Sequence, residues 1–154
     1  CKPYKIAMDK QRFLENIQQQ LPEGVTGSQI IRDNRYMIDI RAEALTEITR
    51  YLYQNLKYRF IIASAFHSKQ GFEILYHFSD DTSGNIINLH VVLPEEKPEI
   101  ESLANMFSGA NWIEREMHEI LGITFRNHPE PEKLLSDGNW AEGVYPYRKN
   151  FKKT

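Results

Sequence analysis

Residues 72–93 read FEILYHFSDDTSGNIINLHVVL, and this stretch decides the interpretation of the fold. Two apolar runs, Phe72–Ser79 and Ile86–Leu93, flank a cluster of Asp, Thr, Ser, Gly and Asn residues that favours a turn. Antiparallel pairing across this turn creates three apolar pairs: Phe78 with Ile87, Tyr76 with Leu89, and Ile74 with Val91. Because the three pairs fall on one face, the sequence predicts a hairpin with one buried side.

The segments before this hairpin predict two helices and three more strands. Asp9 can cap a helix that runs to about Leu21, and helical spacing returns over Ala42–Tyr58. The first helix carries an apolar stripe of Phe13, Leu14, Ile17 and Leu21. The further strands are Gly27–Arg32, Arg35–Arg41 and Phe60–His67. The order α-β-β-α-β-β-β predicts an α+β fold of two layers, with the helices on one side of the sheet.

The chain after the hairpin predicts two more helices, over Ile100–Phe107 and Trp112–Leu121. Gly122 stands where a helix commonly ends in a left-handed residue, and little regular structure is expected beyond it. The second helix has an apolar side formed by Trp112, Met117, Ile120 and Leu121. Residues 1–110 are thus predicted to form the α+β core. Residues 111–154 are predicted to form a motif helix and an extended docking tail of the same domain.

Composition places the 154-residue chain among ordinary globular domains, with 41% hydrophobic and 26% charged residues. The net charge of −2 gives no general electrostatic reason to bind nucleic acid or an anionic membrane. The single cysteine, Cys1, excludes an intramolecular disulfide and any site built from several thiolates. The apolar run at Phe60–Phe66 is far shorter than the roughly 20 residues of a membrane-spanning helix. We therefore expect a soluble domain of the cytoplasmic type.

Three groups of residues could carry chemistry. Glu114 and His118 lie four apart on a helix and could hold a metal with His128, but neither an HExxH motif nor a fourth ligand is present. The alternative is a helix side that faces solvent or a partner. His77 and His90 share the open face of the hairpin and could form a two-imidazole site or a pH switch. The basic and aromatic end, Tyr145–Lys153, could stack on RNA or dock on a protein.

Residues 114–129 read EREMHEILGITFRNHP, which resembles the signature of the 30-kDa subunit family of respiratory complex I, the NADH-quinone oxidoreductase, where it is also called the C subunit. That signature runs approximately E-R-E-x-x-D-x-[FL]-G-[IV]-x-F-x-x-H-P. The end of the chain, Pro146–Phe151, is similar to the closing motif of the family. The family also includes small subunits of membrane-bound, energy-converting [NiFe] hydrogenases. His118 and Asn150 stand where the family usually has aspartate, which keeps the hydrogenase alternative open.

The resemblance implies a non-catalytic assembly subunit in the hydrophilic arm of a complex-I-like oxidoreductase. Its partners would be the large hydrogenase-like subunit of the 49-kDa type and iron–sulfur subunits. Flavin, iron–sulfur clusters or a NiFe centre would lie in those partners, with no cofactor, metal or catalytic residue in this chain. The complex would hold the chain peripherally at the cytoplasmic face of the cell membrane. The residues assigned to docking are Glu114, Arg115, Glu116, His128, Pro129, Trp140, Tyr147, Arg148 and Lys149.

Overall fold

The computed structural model describes Arg12 and residues 14–129, and its centre is a five-stranded sheet. The strands are β1 (Val25–Arg32), β2 (Arg35–Ile40), β3 (Arg59–Ser68), β4 (Gly71–Ser79) and β5 (Ile86–Leu93). All five predicted strands are confirmed. Alternation explains their formation, since side chains of β2 and β4 are in turn buried and partly exposed along the strand.

The register of the central hairpin is confirmed residue by residue. Three pairs lie opposite one another in β4 and β5 as predicted: Phe78 with Ile87, Tyr76 with Leu89, and Ile74 with Val91. The strand order is β1-β2-β5-β4-β3, in which β2 pairs with β5 in parallel. That parallel pairing joins the two hairpins into one sheet and leaves β3 at one edge.

Helices cover one face of this sheet. Residues 14–20 form the described part of α1, and α2 (Leu45–Arg50) lies between a 3₁₀ turn at Ala42–Ala44 and a π turn at Tyr51–Asn55. Both predicted helices are confirmed, and Asp9 and Phe13 lie outside the described residues. The inward residues of α1 and α2 are almost fully buried: Leu14, Ile17, Leu45, Ile48 and Leu52. They join the inner face of the sheet in one apolar core.

The C-terminal part of the described structure is built around α3 (Ser108–Leu121). Gly122 ends this helix at φ 78°, and its N–H donates to the carbonyl of His118 at 2.9 Å, as predicted for a left-handed terminal residue. Two short strands, β6 (Glu99–Glu101) and β7 (Thr124–Arg126), pair in parallel beside it. Within the described residues, no helix is long and apolar enough to cross a membrane.

Two predictions in this region are wrong. Ile100–Phe107 is not a helix, because its first residues pair with β7 and the following turn is held by a side chain of α3. The chain after Gly122 is not irregular at once, since Thr124–Arg126 forms β7. Both errors arise from long-range pairing, which overrides local helical spacing. The extended tail over residues 130–154 lies outside the described residues and stays a prediction.

Candidate functional site

The carboxylate of Glu114 holds the loop that precedes α3. One carboxylate oxygen accepts a hydrogen bond from the Ser102 hydroxyl at 2.6 Å, and the other accepts one from the Leu103 N–H at 2.6 Å. Glu114 itself is only 1% exposed. The expectation that Glu114 lies on a solvent- or partner-facing side of the helix is therefore wrong. Its observed contacts fix the position of α3 against the β6 segment.

Burial also changes the acidity of this side chain. Desolvation raises the pKa of Glu114 to about 7, against the opposing effect of the hydrogen bonds from Ser102 and Leu103. The rings of two nearby strands contribute to the apolar surroundings, since Tyr76 is 1% and Phe78 0% exposed. Glu114 is consequently an internal carboxyl group that gains a proton near neutral pH.

The three residues considered for a metal site line one small cavity. Glu114, His118 and His128 surround a space of about 60 Å³ together with Arg115, Thr124 and Phe125. Each has a contact that occupies it: His118 Nδ1 lies 3.0 Å from the carbonyl oxygen of Ile123, and His128 Nε2 lies 3.1 Å from that of Asn111. Over the described part of the chain, no group of three His, Cys, Asp or Glu side chains has the arrangement of a metal site. The imidazoles connect α3 to its neighbours instead.

The outer side of α3 carries the surface that suits a partner. Trp112 is 55% exposed, so its predicted place on the apolar side of the helix is wrong. Arg115 and Glu116, both half-buried, lie three and four residues further on and therefore on the same side as Trp112. An exposed tryptophan beside charged residues is typical of protein–protein hot spots. The exposed Pro129 and half-buried His128 follow directly at the end of the described chain.

A separate polar cluster lies on the open face of the sheet. His90 Nδ1 lies 2.8 Å from an oxygen of Asp39, and His90 Nε2 lies 2.7 Å from an oxygen of Glu73. Burial alone would lower the pKa of His90, but the bonds to Asp39 and Glu73 outweigh it and raise the pKa. His77 bonds to Asn88 at 2.7 Å. The two histidines thus share a face as predicted, but each is bonded to other side chains and they form no two-imidazole pair.

The remaining predicted docking residues are Trp140, Tyr147, Arg148 and Lys149, and all four lie outside the described residues. Trp112 is missing from the docking residues predicted from the sequence. Helix geometry could have found it, because Trp112 lies about 140° around the helix from Met117, at 100° per residue. The buried Met117 and Leu121 mark the core side of α3, so Trp112 must point elsewhere.

The architecture, a two-layer α+β domain with a charged C-terminal helix, has close counterparts among solved structures. One is in the membrane-bound sulfane sulfur reductase, an archaeal respiratory membrane complex, with a TM-score of 0.79 at 20% identity over 94% of this chain and 86% of that one. Another is the trypsin-resistant fragment of Nqo5, with a TM-score of 0.65 at 20% identity over 78% of this chain and 97% of that one. At such identities the likeness shows a shared fold.

Sequence comparison defines the family. The family of the respiratory-chain NADH dehydrogenase 30-kDa subunit matches residues 38–154, and the chain belongs to this family. It is 30% identical over 151 residues to the C subunit of NADH-quinone oxidoreductase from Roseiflexus sp., covering 94% of this chain and 85% of the relative. It is 28% identical over 147 residues to the C subunit of F(420)H(2) dehydrogenase from Methanosarcina mazei, covering 94% and 92%. The chain is therefore a 30-kDa-type subunit of an NADH-quinone oxidoreductase or a related complex.

Proposed function

We propose that this chain is a cofactor-free assembly subunit that docks on the large, hydrogenase-like subunit of its complex. The observation that carries the proposal is the outer side of α3, where Trp112 is 55% exposed beside Arg115 and Glu116. A domain closing only its own core would gain by burying that ring, since a large aromatic side chain contributes much apolar area. Flavin, iron–sulfur or NiFe chemistry then belongs to the partner chains.

The residues that could be taken for catalytic groups support this proposal. Glu114 is occupied by Ser102 and Leu103, and His118 and His128 contact backbone carbonyl oxygens. These contacts hold α3 in a fixed orientation on the core, so that its outer side is presented rigidly. A preorganised surface loses less conformational entropy on binding than a mobile one. We infer that the polar residues of the family motif divide into internal positioning groups and external docking groups.

Relatives of two kinds match along most of the chain, one named for NADH and quinone and the other for F(420)H(2). We propose that the electron donor is set by other subunits, and that this domain serves as the same structural element in each assembly. Attachment to the cytoplasmic face of the membrane would then be indirect. The hydrogenase alternative differs in the companions that it requires, and mass spectrometry of the purified complex separates the alternatives.

Removal of residues 139–154 tests the docking role. The proposal expects the shortened chain to keep the circular dichroism spectrum and cooperative unfolding of the full chain, and to lose association with the large subunit on co-purification. A control deletion of 150–154 removes part of the basic end but keeps Trp140, Tyr147 and Arg148. Unchanged association of the longer deletion would refute a docking tail, and unfolding of it would assign the tail to the core.

A further inference from the structure

The outer edge of β3 is an unprotected strand edge. β3 pairs with β4 over Arg59–Ser68, and among the described residues no strand lies on its other side. Such an edge presents backbone N–H and C=O groups, which proteins commonly protect with proline, lysine or a covering element. The strand contains no proline or lysine. Three of its apolar side chains are exposed instead, Ile61 at 42%, Ile62 at 50% and Phe66 at 46%.

A groove of about 280 Å³ lies along this edge, between β3 and α3. From the strand it is lined by four consecutive residues: Ile62, Ala63, Ser64 and Ala65. Because successive side chains of a strand point to opposite faces, a space that contacts four in a row adjoins the edge and not one face. The three small side chains leave the backbone accessible. The groove therefore combines backbone hydrogen-bonding groups with apolar walls.

The helix side of the groove is apolar except at one position. Ile113, Met117, Ile120 and Leu121 line it, and Glu116 is the charged residue among them. Glu116 is half-buried and forms no ion pair within residues 14–129. A carboxylate in an apolar wall favours a ligand that brings a cation. The charge of the groove thus selects a lysine or arginine between apolar side chains.

We propose that an extended segment of a partner subunit pairs with the outer edge of β3 as a sixth strand. Its alternate apolar side chains would fill the groove, and a lysine or arginine would bind Glu116. In strand addition, backbone hydrogen bonds provide affinity and side-chain pockets provide specificity. The inference rests on the proposed function for the existence of a partner subunit, and goes beyond it by naming the mode of binding.

A second copy of the chain fits this groove less well. It would offer its own β3, whose single lysine or arginine is Arg59. Arg59 already binds Asp81 through two hydrogen bonds of 3.1 and 3.2 Å. Pairing of two copies would consequently bring two Glu116 carboxylates to the interface with no cation from either strand. The charge balance favours a different chain.

Hydrogen exchange of the full chain, free and within the complex purified through a tag on it, tests the inference. The amides of residues 61–66 are expected to exchange at least about tenfold more slowly in the complex, because strand pairing protects them. The turn at residues 80–85 provides the internal control and should not change. Equal exchange of residues 61–66 in both states, with partner subunits present, would overturn the inference but leave the proposed function standing. Recovery of the chain without any other subunit would overturn both.

A photo-cross-linking residue at Ile62 identifies the occupant, with the same residue at the exposed Thr82 as a matched control. A cross-link from position 62 to an extended segment of another subunit is expected. A cross-link to a second copy, or to residues 130–154 of the same chain, would overturn the inference. As a further check, Glu116→Lys should reduce the recovered partner about tenfold or more, while Glu47→Lys on the exposed side of α2 should not.

Discussion

The buried Glu114 gives the sharpest prediction about stability. Its carboxylate is 1% exposed and accepts hydrogen bonds from Ser102 and Leu103. In Glu114→Gln, the side-chain oxygen can still accept from the Leu103 N–H, and the amide can donate to the Ser102 hydroxyl, which rotates to accept. The variant keeps the shape and the contacts of the loop but cannot ionise. Comparison of the two proteins therefore isolates the effect of the charge.

The sign follows from the direction of the pKa shift. Burial raises the pKa of Glu114 from its ordinary value of 4.5 to about 7, so the folded state holds the proton more tightly than the unfolded state. The associated stability is fully present below pH 4.5 and is lost as the pH rises through about 7. A change of this size corresponds to about 3 kcal/mol, since one pKa unit is worth about 1.4 kcal/mol. The wild-type chain should lose roughly that amount relative to Glu114→Gln between pH 4.5 and 8.

Urea unfolding of the full chain and of the variant, measured at several pH values over this range, provides the test. Subtraction of the two curves removes the contribution of His90 and of all other titrating groups. Glu114→Ala gives the second comparison. It leaves Ser102 and Leu103 with buried, unsatisfied donors at a cost of about 1–3 kcal/mol for each group. A difference curve that is flat with pH would refute the assignment of Glu114 as a buried, proton-holding carboxyl group.

Three further predictions concern other parts of the molecule. Gly71→Ala should lower the free energy of unfolding by about 2–4 kcal/mol in thermal or urea unfolding, because Gly71 has φ 132° and an added Cβ would lie 2.2 Å from a backbone oxygen. Its control, Gly84→Ala, has φ 77° in open space and should cost only about 1 kcal/mol. His90→Gln should cost about 1–2 kcal/mol at pH 6, and the difference should disappear as the pH rises through the raised pKa of His90; a constant difference up to pH 9 would contradict this. Trp112→Ala should change the free energy of unfolding by under about 0.5 kcal/mol but weaken association with the partner by about 2 kcal/mol or more, as measured by co-purification and titration.

The sheet was predictable because its signal is local and repeated. Each strand alternates between buried and exposed side chains, and a shift of one residue would expose the whole apolar set, so the register of β4 and β5 follows from the pattern. The parallel pairing of β2 with β5 joins segments far apart in the chain. Alternation within each strand contains no information about that partner, so the strand order could not be derived from it.

The candidate site was predictable only in part, for two different reasons. Glu114 and His118 have the spacing of a surface charge pair, and the burial of Glu114 depends on a loop from another part of the chain. No local pattern reports that contact. For Trp112, in contrast, residue type alone predicts the wrong side of the helix, although its angle around the helix separates it from Met117. Arg115, Glu116, His128 and Pro129 keep their docking role as a prediction.

The most direct test of the central claim is the composition of the complex recovered with this chain. The tagged full chain is purified from gently solubilised membranes, and the companions are identified and quantified by mass spectrometry. The account predicts a large hydrogenase-like subunit and iron–sulfur subunits in equal amounts with the tagged chain, and loss of these companions in Trp112→Ala. Recovery of the tagged chain alone, with the wild-type tryptophan in place, would contradict the account.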